Sequence, residues 1–277
     1  MIKFSYFSNR CKRLNEEIHS DVPFILEKIE TYKDLKPVPR EDRVGPILYE
    51  EEINNAARII RNIQGFNPTL LDKNIRSVTT SRLRHIHSAD YDILDNHMRI
   101  GSKNSIPHET VHLGSSFYDI EKEIVISGFS YVDNDIIIGR PFTEGYTELL
   151  TIENFDLDDY IPSYHYFVKY AKLFRDSFPT INMNKLFSEG NLNILLEEIS
   201  KLGIPKEETM TYIYLLGKFK FFNFSLIEGY LNEYIEDFKN KTKRIKWFFL
   251  FFYSYYRSNT ITRFITTYIS TYITCIK

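Results

Sequence analysis

Residues 106–112 read Ile-Pro-His-Glu-Thr-Val-His, and His108, Glu109 and His112 within them spell H-E-x-x-H. Residues four apart on an α-helix lie one above the other on the same face, so His108 and His112 turn their imidazoles toward a single point. Glu109 falls about 100° further round the helix, able to reach a water on an ion held there without ligating it. That layout belongs to zinc-dependent hydrolysis, with two imidazole ligands and a glutamate as general base. So short a word also arises by chance, and a second element has to support it.

A zinc ion held by two imidazoles wants a third protein ligand and an open fourth position for water. Residues 143–150, Thr-Glu-Gly-Tyr-Thr-Glu-Leu-Leu, offer one. On a helix Glu144 and Glu148 share a face, so one carboxylate can bind the ion while the other orients a ligand from behind. The metzincin arrangement is excluded, because Ser115 and Tyr118 stand where it needs Gly and His.

Together, His108, Glu109, His112, Glu144 and Glu148 resemble the gluzincin pattern, H-E-x-x-H followed by E-x-x-x-(D/E). The resemblance implies Glu144 as third zinc ligand and Glu148 as hydrogen-bond partner of a zinc histidine. More narrowly, residues 106–116, then Ser127-Gly128-Phe129-Ser130, Ile138-Gly139-Arg140 and residues 144–151 are similar to a group of uncharacterised metallopeptidases from AT-rich bacteria. Their wording is close to H-E-L-x-H-x-x-S-S, then G-F-S, then G-x-x-L-N-E-G-Y-T-E-L-L-T. The resemblance covers about residues 101–154. Two positions depart from it: Thr143 replaces the Asn before the ligand glutamate, and Pro107 precedes His108. Proline is tolerated only in a helix's first turn, so the metal helix starts near Ser105, a candidate N-cap, or bends there.

The resemblance implies one Zn2+ per chain, a peptide or protein substrate, and a cleft edged by the strand ahead of the metal helix. That strand is expected to be the one ending at Ile100, with an extended peptide pairing along it. Oxyanion-stabilising donors by proximity are Tyr146, Tyr164, His165 and Tyr166. His85 and His87 read as surface residues without a metal. Two other classes stand beside the peptidase: a non-catalytic zincin-like interaction or regulatory protein, and a zinc hydrolase acting on a non-peptide bond.

The 277 residues, 43% hydrophobic and 26% charged, have a globular balance. A net charge of −2 without a basic stripe argues against nucleic acid. Cys11 and Cys275, at opposite ends, exclude a disulfide framework and a cysteine zinc site, and they fit a reducing, cytoplasmic setting. No apolar core of secretory length stands near residue 1.

Helices at 22–35 and 48–63 are expected to form an N-terminal helical segment, 1–66. Strands at 76–83 and 91–100, the metal helix at 105–117, strands at 123–129 and 135–138 about a turn at 132–134, and a helix at 143–152 form a zincin-like core, 67–160. Helices at 164–174, 192–202, 207–221 and 227–248 make a C-terminal lobe, 161–277. The class is α+β, a zincin-like metallopeptidase core with a mostly helical C-terminal lobe. An aromatic run at 247–256 is too short to span a bilayer and is expected to pack on that lobe, so membrane contact is not expected. No oligomeric state is implied.

Overall fold

In the computed structural model of the chain, residues 9–32, 34–83, 89–134, 136–157, 164–220 and 224–256 are described, with backbone alone for 9–11, 220, 224 and 244–256. Helices α1 (Asn9–Thr31), α2 (Glu50–Arg61) and α3 (Thr69–Ser77) precede a three-stranded sheet of β1 (Thr79–Arg82), β2 (Ala89–Asp92) and β3 (His97–Ile100). A 3-10 turn, Lys103–Ser105, leads into α4 (Ile106–Ser115). A second sheet follows without a loop: β4 (Ser116–Asp119), β5 (Ile124–Ser127), β6 (Ser130–Asp133) and β7 (Ile136–Ile138). Helices α5 (Arg140–Asn154), α6 (His165–Ser177), α7 (Met183–Ser188), α8 (Leu192–Lys201), α9 (Lys206–Leu216) and α10 (Phe224–Tyr256) complete the described chain. This is a mixed α+β architecture, as the sequence leads one to expect.

The first sheet runs β1-β3-β2, with β1 parallel and β2 antiparallel to β3. The stretch 91–100 is therefore a hairpin and not one strand. Asn96 takes a left-handed φ of 49° in its turn, and Asp92 Oδ1 accepts from the backbone of Leu94 and Asp95. The strand ending at Ile100 is central and not the edge strand expected; β1 and β2 are the edges of this sheet. The second sheet is an antiparallel meander, β4-β5-β6-β7. Its turns fall at residues 120–123, at Gly128-Phe129 between Ser127 and Ser130, and near residue 134. Gly128 has φ +53° and Phe129 is not among the positive-φ residues, the pattern of a two-residue type II′ hairpin.

Four further elements depart from expectation. The metal helix ends at Ser115, two residues early, because β4 starts at Ser116. α3 and α7 are short, and α3 buries Asn74 beside Leu70 and Leu71, a polar residue on the inward face that blurs an apolar period. α1 begins well before residue 22 and carries Pro23 inside it.

One continuous apolar cluster runs from Leu14 in α1 to Phe238 in α10. α1 packs on α9 and α8, whereas α2 and α3 flank α4, so residues on both sides of position 66 share that cluster. α2 starts with three glutamates, which favour its positive N-terminal end, and buries Ile53, Ala56, Ala57 and Ile60. Among the described residues no helix is long and apolar enough to cross a membrane. The side chains of the 247–256 run lie outside the described residues.

Candidate metal centre

α4 is buried on every side, from Ile106 to Ser115. A polar group in such a place needs a partner. Thr110 Oγ1 donates to Ile106 O at 2.7 Å and Ser115 Oγ to Val111 O at 2.9 Å. At the helix end Asn74 Nδ2 donates to Leu113 O and Ser116 O, each at 2.8 Å. Pro107 falls in the first turn, where its missing N–H leaves no carbonyl short of a donor. Ser105 does not cap: its Oγ donates to Ser102 O, and Ser102 instead caps the preceding 3-10 turn through Asn104 N. Three polar residues of α4, His108, Glu109 and His112, line a cleft of about 640 Å³.

α5 brings the other carboxylates. Its N-cap, Gly139, has φ +72°, and a Cβ there would lie 2.2 Å from Phe129 O, so only glycine lets the chain turn from β7 into the helix. Thr143 Oγ1 donates to Ser127 O at 3.1 Å and ties α5 to β5. Glu144 and Glu148 then line the same cleft, one helical turn apart.

His108 Nε2 and His112 Nε2 are 3.2 Å apart, and Glu144 Oε2 stands 3.5 and 3.3 Å from them respectively. A tetrahedral ion with bonds of about 2.0–2.1 Å has ligand-to-ligand edges of roughly 3.3–3.4 Å. The triangle has that size, and its two imidazole nitrogens and one carboxylate oxygen suit zinc. Among the described residues this is the one such group of histidines, cysteines and acids.

The far sides of these three side chains are held as well. His108 Nδ1 lies 2.7 Å from Oε2 of the fully buried Glu148. A carboxylate only accepts, so Nδ1 carries the proton and the Nε2 lone pair faces the triangle. His112 Nδ1 lies 3.1 Å from Ser127 Oγ, which also accepts from Ser116 Oγ at 2.8 Å. Arg140 Nε stands 3.6 Å from Glu144 Oε1, the oxygen outside the triangle. Sequence reasoning did not single out Ser116, Ser127 or Arg140 for a role. Ser127 and Arg140 sit in the motif strings between the two helices, and that was the available signal.

Burial opposes a charge on His108, but the Glu144 and Glu148 carboxylates outweigh it and push the imidazole up to about 10. Burial likewise opposes charge on Glu144, yet His112 and His108 hold its carboxyl far below the usual range. Positive charge is thus favoured within the triangle, and a divalent ion bound there would compete with protons for the same lone pairs. Burial pushes the Glu109 carboxyl up, against the pull of His108 and His112.

Of the four aromatic candidates, Tyr164 lines the cleft, its ring stacked on His108 with centroids 5.8 Å apart. Burial, then the charges of Glu144 and Glu109, push its hydroxyl up to about 12. Tyr146 is fully buried and donates to Asn184 Oδ1 at 2.7 Å, and it does not line the cleft. His165 and Tyr166 are exposed, ring against ring at 3.8 Å, and are likewise absent from the lining. His85 and His87 lie outside the described residues.

Comparison with family models, curated proteins and solved structures found no match to this chain.

Proposed function

We propose that this chain is a zincin-like, gluzincin-type peptidase that hydrolyses peptide bonds with one zinc ion held by His108, His112 and Glu144. The observation that carries the reading is the triangle of donor atoms, 3.2, 3.3 and 3.5 Å on its edges, with a buried Glu109 beside it in the same cleft. When bound, the ion supplies Lewis-acid polarisation of a carbonyl and brings the pKa of water toward neutrality.

The chain's own groups do the rest. Water attacks the scissile carbonyl carbon while Glu109 takes its proton. Glu109 then gives that proton to the amide nitrogen as the C–N bond breaks, leaving a carboxylic acid and an amine. A carboxyl whose proton affinity is raised by burial is better matched to both halves of that task than a solvated one. Tyr164 keeps its hydroxyl proton at neutral pH and can donate to the carbonyl oxygen as charge grows there. Glu148 and Ser127 fix the orientation of His108 and His112. β2, at the edge of its sheet and lining the cleft with Ala89, Asp90 and Tyr91, offers backbone groups to an extended substrate. The two cysteines, far apart in sequence, suit a reducing, cytoplasmic setting.

Glu109→Gln tests the reading: it should keep about one zinc per chain, measured by elemental analysis, and lose peptide hydrolysis. Equal activity of variant and parent overturns the assignment of the base, and a parent that retains no zinc overturns the reading as a whole.

A further inference from the structure

An antiparallel sheet with one face on the core and one toward water alternates apolar and polar residues along each strand. The β4–β7 sheet does this only in part. Its core face is apolar, with Phe117, Ile126, Tyr131 and Ile138 in one cross-strand row. The opposite face carries two rows of different character. Nearest the metal triangle, Ser116, Ser127 and Ser130 stand side by side, small and polar, with Ser127 on His112. The next row is Tyr118, Val125, Val132 and Ile137, paired in register across all four strands. Val125 and Val132 are half-buried and line the cleft, and Ile137 is 53% exposed. Apolar side chains repeated in register on a wet sheet face mark a surface that something apolar covers.

The position of this row says what covers it. Along a strand, residues on one face repeat about every 6.6–6.8 Å, so the valine pair lies roughly that far from the serine row whose Ser127 meets His112. An extended peptide at the β2 edge presents its own same-side side chains at that spacing. From the cleft's two walls we infer that Val125 and Val132 form a subsite for a bulky aliphatic or aromatic side chain on a peptide, at one position flanking the bond to be cut. Ile93, in the β2–β3 turn, also lines the cleft and adds apolar surface to it. The substrates are therefore extended peptides carrying Leu, Ile, Phe or a similar residue at that position. Charged side chains there are rejected, because the row gives them neither a hydrogen bond nor an ion pair. This specificity rests on the peptidase reading above and deepens it.

Two measurements test it together. The zinc-loaded parent is given a mixed peptide library, and the cut sites are read by mass spectrometry. In parallel, the zinc-loaded Glu109→Gln protein is titrated with end-blocked heptapeptides that differ at the flanking position, Leu, Lys or Asp. Apolar residues should dominate one position of the cut sites, and the Leu peptide should bind about 10–100-fold tighter than the charged ones. Val132→Lys should remove that preference and favour Asp. Val132→Thr, which keeps the side chain's shape on the strand, should weaken the Leu peptide several-fold with the fold intact by circular dichroism. Cleavage with no apolar preference, or a preference untouched by Val132→Lys in a folded protein, overturns the subsite and leaves the peptidase reading standing. If no peptide is cut or bound, both fall.

Discussion

Replacing Gly145 by alanine sets two opposed effects against each other at the centre of α5. Glycine is the poorer helix former, so the change alone should stabilise the protein by up to about 1 kcal/mol. The surroundings forbid it: a Cβ at Gly145 would stand 2.5 Å from Phe167 O, 2.6 Å from Phe167 C and 2.7 Å from Phe167 Cβ. Non-bonded heavy atoms settle at about 3.5 Å or more, so α5 and α6 must separate by roughly 1 Å, and the nearest obstacle is backbone with no rotamer to yield. Overpacking of this kind costs about 1–3 kcal/mol, and against a propensity gain of about 1 kcal/mol it leaves a net loss of up to about 2 kcal/mol. The shift also moves Glu144, the adjacent residue, by more than the roughly 0.2 Å over which metal–ligand distances are tolerated. Zinc affinity should fall by about 10–100-fold. Urea denaturation of the metal-free protein isolates the packing term, and titration against a chelating dye gives the affinity. Gly229 in α10 is the control, because a Cβ there meets nothing within 4 Å and Gly229→Ala should stabilise. A Gly145→Ala protein as stable as the Gly229→Ala one, with parental zinc affinity, would refute the reasoning.

Glu148→Gln removes the charge behind His108 Nδ1 and should weaken zinc binding about 10–100-fold while the side chain keeps its shape, measured by chelator competition. Tyr164→Phe should lower kcat by about 100-fold with KM little changed, whereas Tyr146→Phe should leave kcat alone and cost about 1 kcal/mol in urea unfolding; the reverse pattern would move the donor to Tyr146. Zinc must displace the proton that His108 holds up to about 10, so apparent affinity should rise with pH between about 7 and 10, with close to one proton released per ion from that residue, read by calorimetry in buffers of different ionisation heat. The sign for stability is opposite. A folded pKa raised above the unfolded value stabilises the metal-free protein fully below about pH 6.5, and that contribution disappears as pH climbs through about 10. A melting temperature of metal-free protein that shows no His108-dependent fall over that range, by comparison with His108→Asn, would count against the shift.

The two motif helices were legible because each places chemistry-bearing residues four apart, a spacing that only a helix turns into one face. Pro107 also read correctly as a first-turn residue, for lack of a backbone donor. The sheet between the helices was less legible. The turn expected at 132–134 falls on the end of β6, Ser130–Asp133, since Gly128-Phe129 already makes a two-residue reversal that hides a large apolar residue at its tip. Phe129 is fully buried against Phe142, Tyr146 and Phe187, partners distant in sequence. The choice of Tyr164 over Tyr146 was illegible for the same reason: the two differ by which neighbour the fold supplies, Asn184 for one and the His108 ring for the other. The packing of α1 on α9 and on the 3-10 turn that follows it, Gly217–Lys220, brings together Tyr214 with Asp21 and Lys218 with Glu17, pairs about 200 residues apart that no local pattern encodes.

The direct passage from Ser115 to Ser116, with Asn74 stitching both sides of the junction, has a mechanical consequence. The rod bearing the two imidazoles and the first ribbon of the specificity wall are welded end to end, so neither can swing without the other. Room for a ligand to enter or leave is then expected on the opposite bank, at the β2–β3 hairpin. Amide exchange should accordingly be slowest at the weld and faster across the cleft from it.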